Sequence, residues 1–319
     1  MTEILVPKNE RVELIINNSP IQIELGLGRL IPEVACLGPE GTYTEEARDI
    51  LLTGNDHLKM HKDFLSRNVD VVERVDKGEY DIGVIPVENL LEGEVGDVWK
   101  ALLRANNTYI LGEVILPIQH MLIGRPSEEI LTILSHEQAL GQSRDFIARN
   151  FPQAKLQQTT STAKAVEEII NMRNAAAIAG KRVAQIHHMS ILAENIGDNP
   201  NNATRFYLIG RGETKPTGND TTTAIIYPQQ NRVGILRDYL NVFAKNNINL
   251  SYIHSYTTKK QMGEYLFLTS LNGHQKDIPV IDALQTIRSD FAASYRILGS
   301  YSSAAIPEGA TEPGGVNDH

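Results

Sequence analysis

Val34-Ala35-Cys36-Leu37-Gly38-Pro39-Glu40-Gly41-Thr42-Tyr43-Thr44 is the stretch that sets the fold of this 319-residue chain. Its first four residues are apolar and predict a short buried strand, which the glycines and the proline then end. Thr42 and Glu45 stand at the spacing of a capping box, so a helix is predicted to follow. A strand, a tight loop and a helix in this order form the repeating unit of a parallel α/β sheet.

The same unit recurs downstream and predicts two small lobes. The elements predicted after the first unit are a helix at 68–77, a strand at 81–87, a helix at 94–104, an extended run at 114–124, strands at 133–135, 155–158 and 175–179, and helices at 138–150 and 161–172. We expect a catalytic domain over 33–212, with a second lobe at about 114–190 and two chain crossings between the lobes. Ligands of such folds bind in the crevice where strand ends meet helix starts.

A different pattern begins after a linker at 213–220 that is rich in Gly, Thr, Pro and Asn. Residues 221–304 predict the order β-α-β-β-α-β, which is a ferredoxin-like unit. Residues 1–32 are weakly patterned and are interpreted as an extension with two strand-like pieces. Residues 305–319 are predicted to be a disordered tail.

Composition and charge narrow the functional class. The chain is 41% hydrophobic, its formal net charge is −9, and its sequence pI is about 5.5. An acidic surface argues against nucleic-acid or anionic-membrane partners. The single cysteine, Cys36, excludes an intramolecular disulfide framework. The first residues lack the pattern of a signal peptide, and no apolar run has the length of a membrane helix, so a cytoplasmic protein is expected.

Thr204-Arg205-Phe206 combines three chemical properties at the start of an apolar strand. Thr204 can donate a hydrogen bond to a departing oxygen, Arg205 can bind a carboxylate through two parallel bonds, and Phe206 can exclude water. A Thr-Arg pair at a strand start is also common on solvated surface, and this alternative stays open on these residues alone.

Further polar residues are predicted at strand ends and helix starts, where a crevice would form. They are Thr42, Asn89, Ser135 as an N-cap, Gln142, Ser161 and Thr162. Hydroxyl groups and free N–H groups at helix starts suit an anion such as a carboxylate. Ordinary helix capping is the alternative for these residues, except for Asn89, whose alternative is a turn in which its side chain bonds its own backbone. The nine histidines show no spacing typical of a metal site.

Together these segments resemble the prephenate dehydratase family. The resemblance lies in Gly38 to Thr44, in Ile85-Pro86-Val87-Glu88-Asn89 with Glu92-Gly93, in Ser135-His136 with Gln138-Ala139-Leu140, and in Thr204-Arg205-Phe206, in the family's order and at similar spacing. The resemblance covers about residues 34–301. It implies a two-lobed fold like that of periplasmic binding proteins, followed by a regulatory ACT domain.

The resemblance also implies a reaction, the conversion of prephenate to phenylpyruvate with loss of water and carbon dioxide in phenylalanine biosynthesis. Thr204 matches the threonine that assists the leaving hydroxyl. The substrate-binding residues would be Thr42, Asn89, Ser135, Gln142, Ser161, Thr162, Arg205 and Phe206. No metal or organic cofactor is implied, and the substrate is the expected small-molecule partner. ACT domains commonly pair, so a homodimer or homotetramer is expected.

The ACT segment departs from the family pattern at its effector motifs. His254-Ser255-Tyr256-Thr257 stands in place of Glu-Ser-Arg-Pro, and Gly234-Ile235-Leu236 in place of Gly-Ala-Leu. Because these motifs form the phenylalanine site of the family, loss of the Arg and the Pro argues against feedback inhibition by phenylalanine. The domain would then bind another amino-acid effector or only hold subunits together.

Three other functions remain open from the sequence. A prephenate decarboxylase that keeps the hydroxyl would make a non-aromatic product, although Thr204 argues against it. An arogenate dehydratase would use a related substrate. A two-lobed sensor with an ACT domain would bind a small molecule without chemistry, which the Thr204 block and Asn89 disfavour.

Overall fold

A computed structural model describes residues 11–17, 19–26, 29–55, 63–229, 232–258 and 264–307. Most of the predicted tail at 305–319 lies outside these residues. Within them, no helix is long and apolar enough to span a bilayer.

The strands of the described residues, in chain order, are β1 (Arg11–Ile16), β2 (Ser19–Glu24), β3 (Val34–Leu37), β4 (Asp63–Leu65), β5 (Ile82–Asn89), β6 (Gly93–Glu94), β7 (Tyr109–Pro117), β8 (Met121–Gly124), β9 (Thr132–Ser135), β10 (Lys155–Gln158), β11 (Ala175–Ala179), β12 (Ser190–Ala193), β13 (Ala203–Gly210), β14 (Gly212–Thr214), β15 (Asp220–Tyr227), β16 (Leu250–Thr257), β17 (Tyr265–Asn272) and β18 (Ser294–Ser302).

The helices of the same residues are α1 (Tyr43–Leu51), α2 (Asn68–Asp76), α3 (Gly96–Arg104), α4 (Glu137–Gly141), α5 (Arg144–Asn150), α6 (Thr162–Ile169), α7 (Lys181–Ile186), α8 (Ile235–Lys245) and α9 (Ile278–Asp290).

The first lobe is built on a sheet of strand order β4-β3-β5-β13-β7, and β6 pairs with the carboxyl end of β5. Strands β3, β4 and β5 run parallel, as the repeated strand–helix unit predicts. Strand β13 returns from the second lobe and pairs antiparallel with both β5 and β7. Its amino end therefore meets the carboxyl end of β5, at the edge that faces the second lobe.

The second lobe has strand order β10-β9-β11-β8-β12. Strands β9, β10 and β11 are parallel, and β8 and β12 are antiparallel to their neighbours. The chain enters this lobe between β7 and β8 and leaves it between β12 and β13. The two predicted lobes and their two crossings are thus confirmed.

The described part of the extension predicted at 1–32 contributes to the core of the first lobe through residues 11–25. Strands β1 and β2 form a hairpin, and β2 also pairs with β14, which overlaps the start of the predicted linker. One apolar cluster contains Phe206 of β13 together with four buried side chains of the hairpin, Leu14, Ile16, Ile21 and Ile23. Alternation of apolar and polar residues along both strands places this apolar face on the lobe.

The C-terminal domain is ferredoxin-like, as predicted. Its four strands are antiparallel in the order β16-β17-β15-β18, and α8 and α9 pack on one face around a separate apolar cluster. The other face of the sheet contacts the first lobe. The contact is apolar, since Trp99 of the first lobe shares one buried cluster with four residues of this sheet: Tyr256, Leu268, Leu298 and Tyr301.

Two predicted helices differ from the observed ones. The helix predicted over 138–150 is divided into α4 and α5, because Gln142 ends α4 as its C-cap and Ser143 begins α5 as its N-cap. The helix predicted from Glu94 begins at Gly96 instead. Gly93 has a φ of +79°, which turns the chain back so that Glu94 pairs with β5.

Candidate active site

Thr204 and Asn89 lie side by side where the two lobes meet. They are register partners on β13 and β5, so their side chains emerge on the same face of the sheet. Both are buried, and Asn89 Nδ2 donates to Thr204 Oγ1 over 2.8 Å. The sheet therefore brings together two residues that are 115 positions apart in sequence.

The direction of this hydrogen bond is fixed by the backbone. Asn89 Oδ1 accepts from the N–H groups of Leu91 and Glu92 over 3.0 and 3.1 Å, so the other end of its amide must be the donor. That donor, Nδ2, reaches Asn202 Oδ1 over 2.9 Å as well as Thr204 Oγ1. Because Thr204 Oγ1 is the acceptor here, its own proton is free to be donated elsewhere.

The same directed chain continues into the second lobe. Asn202 Nδ2 donates to Gln142 Oε1 over 3.1 Å, and His120 Nε2 lies 2.9 Å from that oxygen. Gln142 Nε2 in turn donates over 3.2 Å to Glu92 Oε1 of the first lobe. One network of amide groups thus joins Thr204 to both lobes.

The network also fixes the tautomer of His120. Gln142 Oε1 can only accept, so His120 carries its proton on Nε2 and donates it. Its other ring nitrogen, Nδ1, is buried and has no hydrogen-bond partner among the described residues. Burial lowers the pKa of His120, which keeps the imidazole neutral despite the opposing effect of its bond to Gln142.

Arg205 does not lie in the crevice, which corrects its predicted role as a carboxylate ligand there. Successive side chains of a strand point to opposite faces, so Arg205 lies on the face opposite to Thr204. Its Nη1 is 2.6 Å from Glu113 Oε2 and its Nε is 3.3 Å from Glu88 Oε2. Burial opposes the charge of Arg205, but the neighbouring Glu113 raises its pKa. The C-terminal domain covers this face through Tyr252.

Phe206 returns to the face of Thr204 but is buried in the apolar core of the first lobe. It is 2% exposed and shares a cluster with Cys36, Val84 and Leu116. The prediction that Phe206 forms a wall against the ligand is therefore corrected. It packs in the core on the same face of β13 that carries Thr204.

Thr42 caps α1 as its spacing predicts. Its Oγ1 accepts from the N–H of Glu45 over 3.3 Å and donates to the carbonyl of Leu37 over 3.1 Å. Glu45 reaches back to the N–H of Gly41 over 2.7 Å. Because Glu45 and Glu46 stand in its first turn, much of the positive end of α1 is already neutralised.

Ser135 is not an N-cap, which corrects that prediction. It ends β9, is fully buried, and donates to the carbonyl of Ile178 over 2.5 Å. The N-cap of α4 is His136, whose Nδ1 accepts from the N–H of Gln138 over 3.3 Å. Ser135 thus ties β9 to β11 and does not face a ligand.

Ser161 and Thr162 are placed at a helix start with no acidic residue in its first turn. Ser161 Oγ accepts from the N–H of Lys164 over 3.0 Å and so caps α6. This helix follows the carboxyl end of β10, at the same edge of the second sheet as Ser135. Its uncompensated positive end suits an anion better than the start of α1 does.

The loop from Gly38 to Thr44 contacts the second lobe directly. Tyr43 Oη donates to the carbonyl of Gln119 over 2.5 Å, and a side chain at Gly41 would come within 2.8 Å of Val183. Arg182 of α7 lies 2.5 Å from Asp49 of α1. Together with the Gln142 network, these contacts hold the two lobes against each other around Thr204.

His120, Asn202 and Glu113 were not singled out by the sequence. His120 stands at the first crossing between the lobes, within an apolar run, and Asn202 directly precedes the strand that carries Thr204. A lone histidine beside an apolar strand is a weak signal that could have found His120. The partners of Asn202 and Glu113 depend on strand register, which the sequence does not show.

The residues of the C-terminal domain that were predicted at a regulatory site lie at one end of its sheet. The carboxyl ends of β15 and β16 are at the same level, since Ile226 and Ser255 both pair with Phe267. His254 and Tyr256 contact Glu94 of the first lobe, and Gly234 is the N-cap of α8. The structure thus brings β16 to the catalytic domain.

Two α/β lobes that close over a hydroxyl and an amide network, with an appended ferredoxin-like domain, define a two-lobed protein whose crevice suits a small molecule. The family model described as prephenate dehydratase matches residues 34–214, and that of the ACT domain matches residues 229–289. The chain therefore belongs to the prephenate dehydratase family.

Individual relatives cover most of the chain. The prephenate dehydratase of Methanocaldococcus jannaschii is 36% identical over 248 residues, which are 76% of this chain and 89% of that protein. Prephenate dehydratase from Arthrobacter aurescens, solved with L-Phe, has a TM-score of 0.76 and 31% identity and covers 88% of this chain and 94% of its own. A quorum-quenching acylase has a TM-score of 0.72 and 25% identity and covers 85% of this chain and 97% of its own.

Proposed function

We propose that this chain converts prephenate to phenylpyruvate with loss of water and carbon dioxide, and that Thr204 donates a hydrogen bond to the departing hydroxyl. Membership of the prephenate dehydratase family supports the reaction. The observation that carries the role of Thr204 is the directed bond from Asn89 Nδ2, which leaves the threonine proton free at the crevice.

The chemistry needs a donor in place before the reaction begins. As the C–O bond breaks, negative charge develops on the leaving oxygen, which takes a proton from solvent and leaves as water. The bond between the ring and the carboxylate breaks at the same time, so carbon dioxide departs and the electron pair of that bond completes the aromatic ring. A hydrogen bond from Thr204 would stabilise that charge, and the amide of Asn89 would hold the hydroxyl in the required direction. Losing one such preorganised donor typically costs ~10²–10³ in rate.

The retained carboxylate of the substrate needs a positive partner. With Arg205 on the opposite face, we assign this role to the start of α6, where Ser161 and Thr162 stand and no acidic residue lies in the first turn. Thr42 and Gln142 would line the crevice between the lobes. Ser135 and Phe206 would support its walls from within the two cores.

An acylase reaction is less compatible with this site. A hydroxyl nucleophile needs a neighbouring base to accept its proton. Among the described residues, the hydrogen-bond partner recorded for Thr204 Oγ1 is an amide donor. A histidine, His120, belongs to the network, but Gln142, Asn202 and Asn89 stand between it and Thr204.

The test is turnover of prephenate by the wild-type chain and two variants at Thr204. Phenylpyruvate is detected by the ultraviolet absorbance of its enolate after addition of alkali. We expect Thr204→Val to lose about 10²–10³ in kcat, because it keeps the shape of the side chain but has no hydroxyl. Thr204→Ser is the matched control and should retain most of the activity.

Each alternative has its own outcome in this assay. A non-aromatising decarboxylase would consume prephenate without an enolate signal, an arogenate dehydratase would act only on arogenate, and a sensor would bind without turnover. Equal rates for the wild-type chain and Thr204→Val would contradict the role of Thr204, even if phenylpyruvate is formed.

For the ACT domain we propose an amino-acid effector role in which phenylalanine binds weakly. An ACT family match and a relative solved with L-Phe support an effector of this class. At the predicted site, however, the side chains of His254 and Tyr256 already contact Glu94. Calorimetry should show weak phenylalanine binding, and tight binding would contradict this proposal.

We also propose that the chain forms a homodimer or homotetramer through its ACT domains. Exposed apolar side chains on this domain support the proposal: Leu236, Leu240, Ile253, Ile278 and Ile281. Light scattering coupled to size exclusion measures the mass, and a strictly monomeric protein at micromolar concentration would exclude this assembly.

A further inference from the structure

Strand β6 is short and is held by only one backbone neighbour among the described strands. Its residues, Gly93 and Glu94, pair with Asn89 and Glu88 of β5. The turn between the two strands is exposed, including Leu90 and Leu91. Beyond the β5–β6 pairs, the turn is held by the N–H of Leu90, which donates to the carbonyl of Ala203 over 2.8 Å, and by the side chain of Glu92, which accepts from Gln142.

The turn nevertheless determines how Asn89 is oriented. The N–H groups of Leu91 and Glu92 bind Asn89 Oδ1, and this contact aims Asn89 Nδ2 at Thr204. If the turn moved, the amide of Asn89 would lose the partners that fix its direction.

Glu94 anchors the end of this turn to the ACT domain. Tyr252 and Tyr256 of β16 each donate their hydroxyl to Glu94 Oε2 over 2.7 Å, and His254 Nδ1 lies 3.3 Å from the same oxygen. Burial and the bond to Glu94 raise the pKa of both tyrosines, so both remain donors over the whole working pH range. One carboxylate oxygen thus receives two phenol donors from a single strand.

Tyr252 is itself held in place by the first lobe. Its ring stacks on Trp99 with centroids 5.7 Å apart and an interplanar angle of 14°. Trp99 Nε1 donates to the carbonyl of Val87 over 3.1 Å, two residues before Asn89 on β5. The ACT strand, α3 and β5 therefore form one continuous contact around the turn.

We propose that Glu94 is a positioning residue for the reaction: held by the tyrosine pair of ACT strand β16, it fixes the β5–β6 turn that orients Asn89 toward Thr204. This inference rests on the proposed function. It also gives a structural role to two residues that depart from the family's effector motif. His254 and Tyr256 stand at positions of that motif, and both contact Glu94 of the catalytic domain.

The experiment measures prephenate turnover in the full-length chain with changes on both sides of the contact. We expect Glu94→Ala to lower kcat about tenfold with KM changed less than about threefold, because a misplaced catalytic group costs rate rather than binding. The double variant Tyr252→Phe/Tyr256→Phe should show a similar loss. Glu94→Gln should restore most of kcat, since its amide oxygen still accepts both hydroxyls.

A second variant tests whether Glu94 acts through Asn89. In an Asn89→Ala background, adding Glu94→Ala should cost less than about twofold, because the group that Glu94 positions is already gone. Hydrogen exchange of the peptide spanning 88–95 should also rise in Glu94→Ala, as the N–H groups of Leu91 and Glu92 lose their partner.

Arg296→Met is the matched control, because it weakens the contact between the ACT domain and the first lobe at a different place. Arg296 donates to the carbonyls of Leu102, Leu103 and Ala105 of the first lobe, away from the β5–β6 turn. This variant should keep kcat and leave exchange at 88–95 unchanged. Wild-type kcat in Glu94→Ala, or a full tenfold loss in the Asn89→Ala background, would overturn the positioning role. An inactive wild-type chain would instead refute the proposed function.

Discussion

The two faces of strand β13 differ in chemistry from one residue to the next. On the crevice face, Thr204 belongs to a chain of neutral amides that reaches the second lobe. On the opposite face, Arg205 forms an ion pair with the buried Glu113, which also accepts from the backbone N–H of Ala304 beyond the ACT sheet. Adjacent residues of one motif therefore lie on opposite faces, Thr204 at the crevice, where we propose a catalytic role, and Arg205 against the ACT domain, because side chains alternate along a strand.

Neutral donors suit the crevice face for a physical reason. A fixed cation beside the leaving hydroxyl would also stabilise the dianionic substrate before reaction, and only interactions stronger in the transition state accelerate the chemical step. A preorganised hydroxyl interacts most strongly when charge develops on the leaving oxygen. The cation of Arg205 instead compensates Glu113, which is 2% exposed and would be costly to leave alone.

The largest effect is expected from reversing one hydrogen bond on the crevice face, the bond from Asn89 Nδ2 to Thr204 Oγ1. Asn89→Asp keeps the oxygen that binds the N–H groups of Leu91 and Glu92 but replaces the donor with an acceptor. The hydroxyl of Thr204 would then turn toward the carboxylate and away from the substrate. We expect kcat to fall by about 10², close to the loss of an entire donor.

Steady-state kinetics on prephenate check this prediction, with Asn89→Ala as the control that removes the donor without adding an acceptor. Asp should be at least as damaging as Ala, although it is closer to Asn in shape. Wild-type kcat in Asn89→Asp would show that the direction of this bond does not matter.

On the opposite face of β13, which the ACT domain covers, a substitution of Arg205 should affect turnover less. Arg205→Met should lower kcat by less than about threefold, because β13 is held by ladders to both β5 and β7 whatever its side chain does. Stability should suffer more, by about 3 kcal/mol, since Glu113 is left buried without its cation. Thermal and denaturant unfolding measure that loss.

The double variant Arg205→Met/Glu113→Gln separates the two explanations. A neutral amide in place of the Glu113 carboxylate removes the unpaired charge and can still accept from the N–H of Ala304, so stability should recover in part. A loss of kcat in Arg205→Met as large as that of Thr204→Val would instead return Arg205 to the substrate site.

Most of the fold could be predicted from the sequence because its signals are local. The apolar strand before Gly38, the capping box at Thr42 and the β-α-β-β-α-β order after residue 220 all depend on near neighbours. The hairpin of β1 and β2 was predicted as strand-like pieces, but its role in the core depends on pairing with β14, which lies far along the chain beyond both lobes.

The candidate site was less predictable because it depends on register and side-chain direction. Alternation along the predicted strand was enough to show that Thr204 and Arg205 cannot face the same ligand, yet the sequence analysis placed both in the crevice. The partners of Asn202, Gln142 and His120 required coordinates, since 60 positions separate Gln142 from Asn202. The contact of Glu94 with β16 spans 158 positions or more and leaves no local signal.

The smallest expected effect concerns His120, because the pH dependence of stability tests whether its imidazole is neutral in the folded chain. Its pKa is lowered by burial, so the unfolded chain binds a proton more readily than the folded chain at mildly acidic pH. The stability contributed by neutral His120 is therefore fully present above the pKa of an unfolded histidine, about 6.5, and is lost as pH falls through the lower folded value. His274 titrates in the same direction, so the comparison must be made between variants.

Free energies of unfolding should be measured from pH 8 to pH 5 for the wild-type chain and His120→Gln. The wild-type chain should lose stability over this range with an extra slope of up to about 1.4 kcal/mol per pH unit, which one proton contributes. His120→Gln lacks the titrating group and should show the shallower curve, while its amide can still donate to Gln142. Parallel curves would mean that His120 has the same pKa in the folded and unfolded chains, which would contradict the conclusion that burial keeps its imidazole neutral.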